Sequence, residues 1–160
     1  MNKQTPKILI SACLLGQAVR YDGGACFNRL HDAAKQQILA WQAQGLLEEL
    51  CPEVAGGLGV PRPAAEIKGT MVVTQGGADV TQAFAGGAQQ ALVICQQLQI
   101  KLALLKQGSP SCGNSLVNDG TFTKTKIEGQ GLTAQLLMQH GIRVFNELEL
   151  PQLRAVLRDE

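Results

Sequence analysis

Short apolar runs along the chain alternate with longer stretches in which apolar residues recur every three or four positions. KILISA (7–12) is apolar and β-branched, which predicts a first strand. HDAAKQQILAWQAQG (31–45) predicts a helix, with Ala34, Ile38, Trp41 and Leu46 near helical spacing and Gly45 as a stop. LLEEL (46–50) predicts a second short strand. MVVTQGGADV (71–80) predicts a hairpin turning at Gly76-Gly77. From Thr81, TQAFAGGAQQALVICQQLQ predicts a helix whose apolar face carries Phe84, Ala88, Leu92 and Cys95. KLALLK (101–106) and IRVFNE (142–147) predict two more strands, with a helix over GLTAQLLMQHG (131–141) between them. PQLRAVLRD predicts a closing helix with Pro151 in its first turn.

Strands and helices in this alternation imply an α/β class: a Rossmann-like three-layer domain with a mostly parallel sheet and a small hairpin, one domain over residues 1–160. In such sheets ligands bind beyond the carboxyl ends of the strands. Two loops follow predicted strands, CLLGQAVRYDGG with a Gly-Gly stop and PEVAGGLGVPRPAAEIKG, rich in glycine and proline. The second is long enough to suggest a functional role.

Three cysteines fall just after predicted strands: Cys13, Cys51 and, in KQGSPSCGNS, Cys112. The topology brings all three to one edge of the sheet. Three convergent thiolates suit a soft metal or an iron–sulfur cluster. No CxxC pair occurs, which argues against a structural zinc clip. A cluster held by three thiolates keeps one iron open, and an open iron is a Lewis acid. Free cysteines are also common as small buried residues, so a metal-free core stands as the competing reading. Cys95 reads as core. Cys26 reads as a structural thiol or a fourth ligand.

Composition narrows the classes. Apolar residues make up 45% of the chain and charged residues 17%, as in a folded globular protein. A net charge of +1 provides no extended nucleic-acid surface. No apolar stretch reaches the ~18 residues of a membrane span. Lys3 and Lys7 ahead of Ile10-Ser11-Ala12-Cys13 resemble a lipoprotein signal, but the apolar stretch is too short for one. Five cysteines, odd in number and unclustered, point to a reducing, cytoplasmic compartment. Neither GxGxxG nor GxxxxGK[ST] is present, so a dinucleotide or ATP requirement has no support.

SACLLG with RYDGG, CPEVAGGLGVPRPAAEI, DVTQAFAGGA and LKQGSPSCG together resemble the thiouracil desulfurase family over roughly residues 7–147. Many relatives carry a further cysteine where this chain has Val19, and many read PRPPAEI where this chain has PRPAAEI. The resemblance implies a Rossmann-like domain with a 4Fe–4S cluster held by Cys13, Cys51 and Cys112. It implies removal of sulfur from a thiolated base or nucleotide, with the open iron as Lewis acid and sulfur acceptor. It gives Glu53 and Ser109 acid–base or positioning roles.

From the residues themselves, Arg20, Tyr21 and Asp22 lie in the first crevice loop, and Arg20 suits a phosphate or a pyrimidine carbonyl. Arg62, set between two prolines, is a second anion candidate. Ser111 is a further candidate for binding, or for bonding the loop backbone. A non-catalytic iron–sulfur carrier or sensor and a metal-free binding protein remain as alternatives. Oligomeric state is open, a monomer included.

Overall fold

The computed structural model describes residues 5–158; Lys3 and Asp159 lie outside them. The strands are β1 (Ile8–Ser11), β2 (Leu47–Leu50), β3 (Ala65–Lys68), β4 (Met71–Thr74), β5 (Leu102–Leu104), β6 (Leu116–Asn118), β7 (Lys126–Glu128) and β8 (Arg143–Phe145). The helices are α1 (Asp32–Ala43), α2 (Pro52–Ala55), α3 (Thr81–Leu98), α4 (Leu132–Gln139) and α5 (Leu150–Arg158).

Strands β2, β1, β5 and β8 form a parallel sheet in that order. Its central strand β1 is buried on both faces, which is why ILIS is a continuous apolar run ending in one serine. Successive residues split between two cores. Ile8 and Ile10 pack with Ile38, Trp41 and Leu153, while Leu9 packs with Ala91, Leu92 and Leu137. Helices α1 and α5 therefore cover one face, and α3 and α4 the other. This is the three-layer α/β fold expected from the alternation. Phe84, Ala88, Leu92 and Cys95 are all buried, as their helical spacing requires. Among the described residues, no helix is long and apolar enough to cross a membrane.

Two differences from the sequence expectation concern the hairpins. The main hairpin pairs β3 with β4 and turns at Gly69, where φ is +64°. The turn expected at Gly76-Gly77 exists, but it closes only an isolated bridge between Val73 and Asp79. Glycine pairs mark turns without saying how long the flanking ladder is. The second difference is an arm, β6 paired with β7, in a segment assigned no strand from its sequence. Leu116 and residues 126–128 are exposed and only Val117 is buried, so the arm has too little buried apolar face to make a strand visible in a sequence.

Candidate active site

The chain leaves β1 toward β2 on one side and returns to β5 on the other. The crevice between the carboxyl ends of β1 and β5 is the topological switch point, where α/β sheets place ligands. A cavity of about 640 Å³ opens there, and Cys13, Cys51 and Cys112 all line it.

Each cysteine is held by its own device. Cys13 sits in a 3-10 turn, Ala12–Leu15, directly after β1; the turn ends at Gly16 with φ +92°. Cys51 precedes α2, whose first residue is Pro52, a residue suited to a helix start. Helix α2 lies backbone-to-backbone on α3. A Cβ on Gly87 would overlap the Pro52 carbonyl, and one on Gly56 would overlap the Ala83 carbonyl. A Gly87→Ala chain is therefore expected to lose about 1–3 kcal/mol of stability, because rigid backbone must move. Thermal unfolding and iron content after loading, measured together, check whether the shift also carries Cys51 out of place.

Cys112 belongs to the loop after β5. The Ser109 hydroxyl accepts the Ser111 and Cys112 N–H groups at 3.0 and 3.1 Å. Carbonyls of the same loop take N–H groups at the start of α4: Gly131 donates to Gly113, Leu132 to Pro110 and Thr133 to Ser111. The free donors of a helix start thus lock the cysteine loop to α4.

Glu53 is the second residue of α2, in its first turn, and also lines the cavity. Burial pushes its carboxyl above the usual range; Arg62 and a hydrogen bond with Ser109 partly offset this. Since the Ser109 oxygen already accepts two N–H groups, its own hydrogen is available to Glu53. Arg62 faces the cavity, but its donors are engaged. Nε and Nη2 approach Glu53 at 3.4 and 3.3 Å, Nη1 donates to the Gly59 carbonyl, and Nη2 also donates to the Val19 carbonyl. Its visible task is to tie the RYDG loop to Glu53. Arg20 lines the cavity too, 3.8 Å from Asp22, and its buried Nη1 has no hydrogen-bond partner among the described residues. Tyr21 stands at the rim, about two-fifths exposed.

Two sequence candidates do not reach the cavity. Asp22 is exposed and accepts the Gly24 N–H at 2.9 Å, so it shapes the Gly-Gly turn. Ser111 is fully buried and bonded to Thr133 at 2.7 Å, behind the wall that Cys112 presents. Lys106 also lines the cavity and pairs with Glu147 at 2.9 Å. Sequence reasoning passed over Ser11, Glu66 and Phe122, which also line it. Ser11 is the one polar residue of the buried run ILIS, a signal that was readable. Its hydroxyl accepts the Lys106 N–H at 3.0 Å, and the Cys112 thiol bonds with it.

The donor set fits an iron–sulfur cluster. Burial pushes the Cys112 thiol up to about 12, so a thiolate there needs a cation beside it. Among the described residues no three His, Cys, Asp or Glu side chains are grouped as ligands of a single ion. Cysteines spaced around a larger cavity suit a group whose ligands bind different irons. Arg20 Nη1, which makes no hydrogen bond among the described residues and only a 3.8 Å contact to Asp22, is a donor available to an anionic group. Cys26 is buried against Cys13, and that hydrogen bond, before burial, pushes the Cys13 thiol up. Cys26 does not line the cavity, and Cys95 lies on the buried face of α3, in the core.

Comparison with known proteins agrees with this architecture. The chain is 37% identical over 153 residues to the uncharacterized protein YbbK of Bacillus subtilis (strain 168), a match covering 89% of this chain and 97% of that protein. Its fold superimposes on the crystal structure of the 4Fe-4S-dependent thiouracil desulfidase TudS with a TM-score of 0.91 at 46% identity, over 97% of this chain and 99% of that one. The family model for 2-thiouracil desulfurase matches residues 8–149, a span that runs from β1 to the residue before α5 and includes every cysteine around the cavity. The chain belongs to the 2-thiouracil desulfurase family.

Proposed function

We propose that the chain is an iron–sulfur-dependent thiouracil desulfurase in which Cys13, Cys51 and Cys112 hold a 4Fe–4S cluster. The observation that carries the assignment of ligands is the convergence of these three cysteines, from three separate strand ends, on one cavity that Glu53 also lines. The family and the likeness to TudS support the reaction.

Replacing C=S by C=O is a hydrolysis: water adds at the thiocarbonyl carbon, the C–S bond breaks, and sulfide leaves. Both carbons share one oxidation level, so no net electron transfer occurs. A cluster with one iron free of protein ligands supplies a thiophilic Lewis acid and a place for the sulfur. The protein's own part is to position a proton acceptor. Glu53 takes a proton from the attacking water, with Ser109 hydrogen-bonded to it as a relay. Arg62 holds the Glu53 carboxylate in place. Ser11 and Ser109 together fix the Cys112 side of the cavity.

Free thiouracil and a thiouridine nucleotide present the same thiocarbonyl ring, so both belong in the test. Protein purified without oxygen is assayed for iron, acid-labile sulfide and sulfide release from each. Iron with sulfide release supports the proposal. A stable cluster with no release from either compound overturns the reaction.

A further inference from the structure

Residues 119–125 connect the two strands of the β6–β7 arm, and two of them line the cavity, Phe122 and Lys124. Both have left-handed backbones, φ +59°. That conformation is an outlier for a bulky side chain and persists only where surroundings enforce it. Here the enforcing group is Glu66 on β3. Its buried carboxylate accepts the Gly120 and Phe122 N–H groups, both through Oε1, at 3.0 and 3.1 Å. Gly120 lies so close to the Ile67 carbonyl that a Cβ would stand only 2.8 Å from it. On the outer side, Asp119, Thr121, Thr123 and Thr125 are joined by side-chain bonds of 2.6–2.8 Å. The loop is anchored from inside and stiffened from outside, and it presents one ring to the cavity.

Among the described residues, two aromatic side chains line that cavity, Tyr21 and Phe122. The Arg20 guanidinium already lies over the Tyr21 ring, 5.7 Å from its centre. Phe122 is half-buried, and among the described residues no cation covers its face. A thiolated pyrimidine is a flat π-system, and such bases are held by stacking on aromatic side chains. We propose that Phe122 is the stacking platform for the substrate ring, and that Glu66 is a positioning residue that holds it there through the backbone. The inference rests on the desulfurase reading above.

The test uses cluster-loaded protein, with kcat and KM for 2-thiouracil and calorimetric binding of the product, uracil. Phe122→Ala and Phe122→Leu are expected to raise KM and the uracil Kd roughly tenfold, with kcat within about twofold, because stacking acts on bound ground and transition states alike. Leucine keeps the apolar bulk of the loop, so a loss in both variants belongs to the ring. Glu66→Ala should raise KM similarly, whereas Glu66→Gln, whose amide oxygen still accepts both N–H groups, should restore it. Combining Phe122→Ala with Glu66→Ala should add little to Phe122→Ala alone. A normal KM in Phe122→Leu, or a Glu66→Ala effect of full size added to Phe122→Ala, overturns the platform while the desulfurase reading stands. Wild-type protein that carries iron but neither binds uracil nor releases sulfide overturns both.

Discussion

A Cys51→Ala chain is expected to fall from about four irons per chain to near zero after anaerobic loading, and its sulfide release with it. Cys51 is the most informative of the three ligands because it is half-exposed, with one long contact from its sulfur to the Val19 carbonyl at 3.9 Å. Removing it disturbs little packing, so a loss of iron is not a loss of fold. Far-ultraviolet circular dichroism and the unfolding temperature should stay near wild type. Cys112→Ala carries the same expectation with a larger fold penalty, since Cys112 is buried and packs with Leu105 and Ala134. Cys26→Ser is the contrasting arm. Its sulfur meets Cys13 but not the cavity, so most of the iron should remain. If Cys26→Ser instead empties the protein of iron, the cluster has four protein ligands and no open iron. The carrier or sensor reading would then replace the enzyme.

Glu53→Gln is the second large effect. The amide keeps the shape and the contact to Ser109 but cannot take a proton from water. Loss of a general base costs about 10²–10⁴ in rate, so kcat should drop by that order while iron content and the visible spectrum hold. The substitution also leaves the Arg62 guanidinium, only 6% exposed, without its carboxylate partner. Some fall in unfolding temperature is expected on that account. Activity and stability separate in the Arg62→Lys variant. Lysine retains a charge near Glu53 but loses the fork that also reaches the Gly59 and Val19 carbonyls. A Glu53→Gln enzyme that turns over at the wild-type rate would remove Glu53 from the chemistry and leave it as half of an ion pair.

The sheet was legible because its strands are short and bounded by turn residues, and its two inner strands are fully buried. ILIS and LAL have no exposed face, so even three or four residues stand out against their surroundings. The cysteines were legible for a topological reason: a parallel sheet sends every strand end to one side, so three residues remote in sequence converge without any local motif. The β6–β7 arm was not legible, because it is exposed and its strands are held mainly by each other. With it went Phe122, whose place depends on a left-handed backbone in a non-glycine residue. Nothing in DGTFTKT announces that the ring turns inward. Glu66 was hidden in the same way. In AEIK its alternation is ordinary, and its importance lies in two N–H groups more than fifty residues away. Asp22 and Ser111 were misplaced because a loop's polar residues serve its own turns as readily as a ligand, and sequence does not distinguish the two.

The packing of β1 has a consequence for how the finished enzyme is made. The ligands belong to loops after β1, β2 and β5, and no two of them are brought together by local structure alone. The central strand must therefore already lie between its neighbours before three thiols can face one another. What draws it there is the apolar set Ile8, Leu9 and Ile10, sandwiched between helices on both faces. Folding comes first and cofactor insertion second, the reverse of a zinc finger, whose metal organises the chain. Biogenesis of this protein is then a delivery step to a prebuilt receptacle, and material produced under iron starvation should accept its inorganic core afterwards without passing through an unfolded state.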